Sequence, residues 1–246
     1  NINPVLDVTF DGIHILDKDI VNPNPYILIS LDDENPFLLL NDITDTTYFE
    51  VKIKRPGSNA FENVYFMNSL GEEILKFYPA TDSKNKVRIE YNPDFVVDGI
   101  YTLQVQGRDK SNNFSGDYSY QISFEVINAS TITHLFNYPN PFSTSTSFVF
   151  TLTGRETPDQ MMIQVMTITG KVVREIKLDE LGPIRIGNNR TEYAWDGRDE
   201  FGDQLANGVY LYRVIAKING QDIEHRSTSA DDNSFKKGFG KMYLLR

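Results

Sequence analysis

The sequence predicts an all-β chain built as two consecutive β-sandwiches. Three observations carry that expectation. Short segments rich in β-branched and aromatic residues recur between Asn, Asp, Pro and Gly clusters. No stretch shows the periodicity of an amphipathic helix of three turns. The strand pattern also restarts near residues 128–133, where the charge balance changes: residues 1–127 carry net −10 and residues 128–246 net zero. The expected units are residues 1–130 and 131–246. At that size each buries about two thirds of its unfolded surface, enough to fold alone.

In the first unit the expected strands are YILISL (26–31), YFEVKI (48–53), NVYFM (63–67), KVRIEY (86–91), IYTLQVQ (100–106) and YQISFEVI (120–127). The last alternates cleanly: Ile122, Phe124 and Val126 share one face, and Gln121, Ser123 and Glu125 the other. After NASTITH come SFVFTL (147–152), MIQVMTI (162–168), KVVREIKL (171–178), TEYAW (191–195), VYLYRVIAK (209–217) and KMYLLR (241–246). In TITGKVVREI, Thr169 and Gly170 are expected to turn a hairpin, with Lys171 opening the return strand.

The two halves echo each other in DGIYTLQVQ and NGVYLYRVIAK. A tyrosine that opens a late strand and bonds back to the preceding corner is a device of immunoglobulin-like sandwiches. Tyr101 and Tyr210 are expected to play that part, with Leu103 and Tyr212 packed where antibody domains hold a cysteine. The expected fold is therefore two tandem immunoglobulin-like β-sandwiches.

Composition narrows function. The chain has no cysteine, so disulfides, thiolate metal sites and a cysteine nucleophile are excluded within it. Net charge of −10 disfavours nucleic acid as a partner. No apolar run is long enough for a membrane-spanning helix. The chain opens on Asn1 without a leader, so targeting information is expected upstream.

Catalytic patterns are lacking. His14, His134 and His225 are far apart in sequence, and there is neither a nucleophile elbow nor a phosphate-cradling glycine loop. Asp32 with Asp33 and Asp231 with Asp232 lie in polar, loop-like runs. The acid-rich stretch WDGRDEFGDQLANGVY, residues 195–210, fails the EF-hand pattern at its third and sixth positions, Arg198 and Phe201. Asp196, Asp199 and Asp203 are the residues through which calcium would have to bind; otherwise no cofactor is expected. The simpler reading is an elaborate strand connection, with Asp residues bonding their own backbone and Gly197, Gly202 and Gly208 supplying positive φ.

Two further segments stand out. NYPNPF (137–142) places Pro139 and Pro141 around Asn140, which predicts a stiff, extended domain entrance anchored by Tyr138 and Phe142. FKKGFGKMYLLR closes the chain with Lys236, Lys237, Lys241 and Arg246 and no acid. Its strand is a natural handle for a partner through its backbone.

In this order, NYPNPF, TGKVV, WDGRDEFGDQLANGVYLYRV and a short basic closing strand resemble the C-terminal sorting domains of type IX-secreted proteins. The same block is similar to the immunoglobulin-like domain of flagellar hook-capping proteins. Residues 1–130 resemble the bacterial immunoglobulin-like modules that precede such domains, and the whole chain resembles the C-terminal part of gingipain-like cysteine peptidases, sortase-like members included. The resemblance implies an exported, non-enzymatic module at the cell surface, at the outer membrane or outside the cell. It implies recognition by an outer-membrane β-barrel shuttle and other type IX secretion components, with the peptidase residues in an upstream domain. Its signature falls on Pro139, Asn140, Pro141, Gly170, Asp196, Gly197, Gly202, Gly208 and Tyr210, and its partner-binding element on Lys241, Met242, Tyr243, Leu244, Leu245 and Arg246. The expected contact is edge pairing with apolar anchors at Leu244 and Leu245. One departure is the longer loop NGQDIEHRSTSADDNSFKKGFG before KMYLLR, which leaves removal and retention of the domain both open. The alternative is an adhesin or carbohydrate-binding sandwich using Phe77, Tyr78, Phe114 and Tyr118.

Overall fold

The computed structural model describes residues 3–35, 38, 40, 48–81, 84–225 and 238–246. Asp231, Asp232, Phe235, Lys236 and Lys237 lie outside the described residues. The chain divides into two compact units, Asn1–Asn128 and Ala129–Arg246. Each has its own apolar core, and the architecture is the expected all-β one of tandem sandwiches.

The first unit contains β1 (Val5–Phe10), β2 (Asp19–Val21), β3 (Ile27–Asp32), β4 (Phe49–Lys54), β5 (Glu62–Val64), β6 (Leu75–Tyr78), β7 (Lys86–Tyr91), β8 (Gly99–Gly107) and β9 (Tyr120–Val126). One sheet runs β1-β3-β7-β6 and the other β2-β9-β8-β4-β5. The inward residues of each strand close the core: Ile27, Ile29, Val87 and Ile89 from one sheet meet Val51, Leu103, Val105 and Phe124 from the other. Tyr101 is buried among Phe95, at 4.4 Å, and Phe124, at 5.8 Å. Its hydroxyl donates to the Val97 carbonyl at 2.9 Å, the bond expected of a tyrosine corner.

The second unit contains β10 (Thr131–Tyr138), β11 (Ser147–Leu152), β12 (Gln160–Thr167), β13 (Val172–Lys177), the single-turn α1 (Leu178–Leu181), β14 (Gly187–Arg190), β15 (Gly208–Ile218), β16 (Gln221–Asp222), β17 (Glu224–His225) and β18 (Gly240–Leu244). One sheet runs β14-β11-β10-β17; the other runs β13-β12-β15-β16, with β18 also paired to β15. The hairpin between β12 and β13 forms as expected. Gly170 N–H donates to Thr167 O at 2.9 Å, and Gly170 takes a φ of 86° that favours glycine. Tyr210 repeats the corner bond, its hydroxyl donating to Ala206 O at 2.8 Å. Tyr212 is buried edge-on to Phe148 at 5.1 Å.

The structure corrects three sequence expectations. TEYAW is not a strand: β14 lies just before it, and the Thr191 hydroxyl occupies the ladder by accepting from Phe148 N–H at 3.0 Å. Residues 131–138, where no strand was expected, form β10, whose inward positions include Thr131, Thr133 and Asn137. NYPNPF leaves a strand rather than leading into one. The Tyr138–Pro139 and Asn140–Pro141 bonds are both cis, and the chain bends instead of running extended.

Candidate functional site

The signature segments, distant in sequence, meet around β18. The strand reads Gly-Lys-Met-Tyr-Leu, and alternation sends Gly240, Met242 and Leu244 inward and Lys241 and Tyr243 outward. It pairs antiparallel with β15 from Gly208↔Leu244 to Tyr212↔Gly240. Met242 and Leu244 are fully buried in the core that holds Phe142, Trp195 and Tyr210. Gly240 is required by packing, because a Cβ there would overlap the Tyr212 ring.

Leu244 is thus part of the core, and so is Met242. Lys241, Tyr243, Leu245 and Arg246 remain at the surface, with Lys241 Nζ 5.1 Å from the Tyr243 ring.

The outer edge of β18 is occupied. Asn140 uses its side-chain amide as a substitute peptide unit: Nδ2 donates to Lys241 O at 3.0 Å, and Oδ1 accepts from Tyr243 N–H at 3.0 Å. The Phe142 backbone continues the ladder, donating to Tyr243 O at 3.0 Å and accepting from Leu245 N–H at 2.9 Å. Pro139 and Pro141 have no N–H to give, so the residue between them supplies both groups. Phe142 anchors the segment against Trp195 at 5.6 Å, whereas Tyr138 is 61% exposed and anchors nothing. Edge pairing by a partner therefore requires displacement of this segment.

The loop 195–207 makes a socket for the following residues. Asn207 repeats the device of Asn140: Nδ2 donates to Arg246 O and Oδ1 accepts from Arg246 N–H, each at 3.0 Å. The Arg246 guanidinium donates to Leu205 O at 3.2 Å and also to Asp196 O. Gly197 has φ 75°, and a Cβ on it would press on the Arg246 guanidinium and the Leu244 methyls. Two causes thus require glycine there. Trp195 is fully buried and donates from Nε1 to Arg198 O at 2.8 Å. Glu200 reaches β13, at the far side of the sheet, where its N–H donates to Val173 O at 2.9 Å and its carboxylate accepts from Glu175 N–H at 3.1 Å.

Asp196 and Asp199 serve the loop's own turns. Asp196 accepts from Arg198 N–H at 3.1 Å, and Asp199 accepts from Phe201 N–H at 3.0 Å and Asp203 N–H at 2.9 Å. Among the described residues no three His, Asp or Glu side chains gather as a metal site. Gly202, at φ 85°, closes the Asp199 turn. Gly170 lies in the β12–β13 turn and is not one of the residues that contact β18. Burial raises the Tyr210 hydroxyl above the ordinary phenol range, with Arg246 pulling it back.

Sequence reasoning missed Asn207 and Leu205. The available signal was Asn140 and Asn207 themselves, since an asparagine amide carries the donor and acceptor of a peptide group. Of the aromatics considered for sugar binding, Phe77 packs inward on Phe66 at 6.3 Å. Tyr78 is held by Glu90 at 2.9 Å and Phe114 by Arg108, 4.1 Å from its ring. Tyr118 is 89% exposed.

No family model matches this chain. No curated protein matches it. Among solved structures it is similar to dimeric latent PorU from Porphyromonas gingivalis, at 18% identity and TM-score 0.37, covering 98% of this chain and 20% of that one. It is similar to the FN1–FN3 domains of chicken CNTN1, at 10% identity and TM-score 0.28, covering 99% of this chain and 67% of that one. It is also similar to the fibronectin(III)-like modules of Clostridium thermocellum CbhA, at 11% identity and TM-score 0.26, covering 97% and 94%. The chain spans a fifth of the length of the PorU structure.

Proposed function

We infer that this chain is a non-enzymatic sorting and surface-attachment module of a larger exported protein, of the type IX-secreted kind. Its second unit would be read by an outer-membrane β-barrel shuttle. The observation that carries the reading is convergence. Asn140, Phe142, Gly197, Leu205 and Asn207, drawn from the two most distinctive signature segments, all act on β18 and the two residues after it. The signature thus has a common physical object, the closing strand that the resemblance assigns to partner recognition.

Because Met242 and Leu244 are buried and the outer edge is filled, recognition takes one of two forms. The shuttle contacts the outward side chains Lys241, Tyr243 and Leu245, or it captures the strand before the clasp closes. A secretion assay tests the reading. A signal peptide and reporter would be fused to residues 1–246 in a host with an intact type IX system, with and without residues 240–246. Surface or medium delivery only with the complete end supports it. Retention of the complete fusion in the periplasm, although folded, removes it. Replacing Lys241, Tyr243 and Leu245 together separates the two forms, since only side-chain recognition loses export.

A further inference from the structure

The first unit has a cleft that the sorting reading does not use. The outer strands β5 and β6 lie in different sheets, and the connection between them, residues 65–74, carries outward Tyr65 and Met67, each 56% exposed. Two cavities of about 360 and 220 Å³ open here and share Arg55, Ile74 and Tyr91 as walls. The larger falls within the roughly 300–1,000 Å³ of small-molecule sites.

Tyr91 forms a wall of both cavities. It is 6% exposed as a residue, and its hydroxyl end reaches the cleft rather than the sealed core. Burial pushes it up to about 12, so at neutral pH it stays protonated and able both to donate and to accept. Arg55 is its charged neighbour and is held through Nε to Glu62 at 3.1 Å.

We propose that this cleft binds a neutral sugar ring, its hydroxyls meeting Tyr91 and Arg55 and its apolar face lying on Tyr65 and Ile74. The mixed lining chooses this chemistry. Arg55 and Lys76 face Glu73, Glu90 and Asp94, a balance that gives an anion no advantage. Donors and acceptors side by side match hydroxyl groups, which are both. Tyr65 and Ile74, 56% and 36% exposed, supply the apolar wall.

The test is a titration of the whole chain with glucose, galactose, mannose and N-acetylglucosamine, with acetate as the anionic control, followed by NMR at the Ile74 methyl and the Arg55 amide. Saturable shifts with at least one sugar are expected. Tyr91→Phe should weaken that sugar by about three- to tenfold, the loss of one neutral hydrogen bond, and leave the Tm unchanged or slightly raised. Tyr65→Ala should weaken it too. The proposal is overturned by the absence of a saturable shift with all four sugars, or by equal binding in Tyr91→Phe. Equal shifts with acetate would identify an anion site instead, and a lower Tm in Tyr91→Phe would give the hydroxyl a structural role. Both outcomes overturn it independently of the sorting reading.

Discussion

Asn140 and Asn207 do the work of a neighbouring strand with one side chain each. A net hydrogen bond of this kind contributes on the order of 1 kcal/mol, and each asparagine makes two. Asn140→Ala is expected to cost about 1–2 kcal/mol in urea unfolding and to speed hydrogen exchange at the Tyr243 amide. Asn207→Ala should do the same at the Arg246 amide. Unchanged exchange at both would show that the side chains do not hold the strand. Asn140→Asp keeps the acceptor and loses the donor, so it should protect the Tyr243 amide while still weakening the clasp. The residue identities are visible in the sequence, but their partners are not. Asn140 acts on residues about a hundred positions away, and no local pattern encodes such a pairing.

At the scale of the element, β18 is an interior strand by its contacts. Leu244→Ala is expected to cost about 2–5 kcal/mol, as buried leucine truncations do. Leu245→Ala, at 53% exposure, should stay within about 0.5 kcal/mol. Near-equal effects in thermal unfolding would refute the burial assigned to Leu244. Strands with plain alternation were legible in advance: β7 and β11 have the predicted bounds, and β3, β4, β8, β9 and β15 lie within about two residues of theirs. β10 was hidden because it buries Thr131, Thr133 and Asn137, whose hydrogen bonds replace the apolar signal. TEYAW failed for the converse reason. It has strand residues, but the Thr191 side chain takes the ladder position. The tyrosine corners were legible because a short-range bond, four residues back, fixes them. The clasp was legible only as a set of unusual segments.

For the whole molecule, two separate cores mean that damage should stay local. Removal of residues 240–246 takes Met242 and Leu244 from the second core and exposes apolar residues such as Phe142, Trp195 and Tyr210 to solvent. The expected result is loss of dispersed NMR signals from the second unit, with those of the first retained. Loss of both sets would show that the first core depends on the second.

The clasp also orders events in time. During synthesis, residues 140–142 and 195–207 emerge well before residue 240. Until then Asn140 and Asn207 lack their backbone partners, and the groove beside β15 stands open. A chain interrupted before residue 240 would therefore carry a protease-sensitive gap, which residues 240–246 seal from both sides. The fold thereby makes closure of the second sandwich wait on residues 240–246.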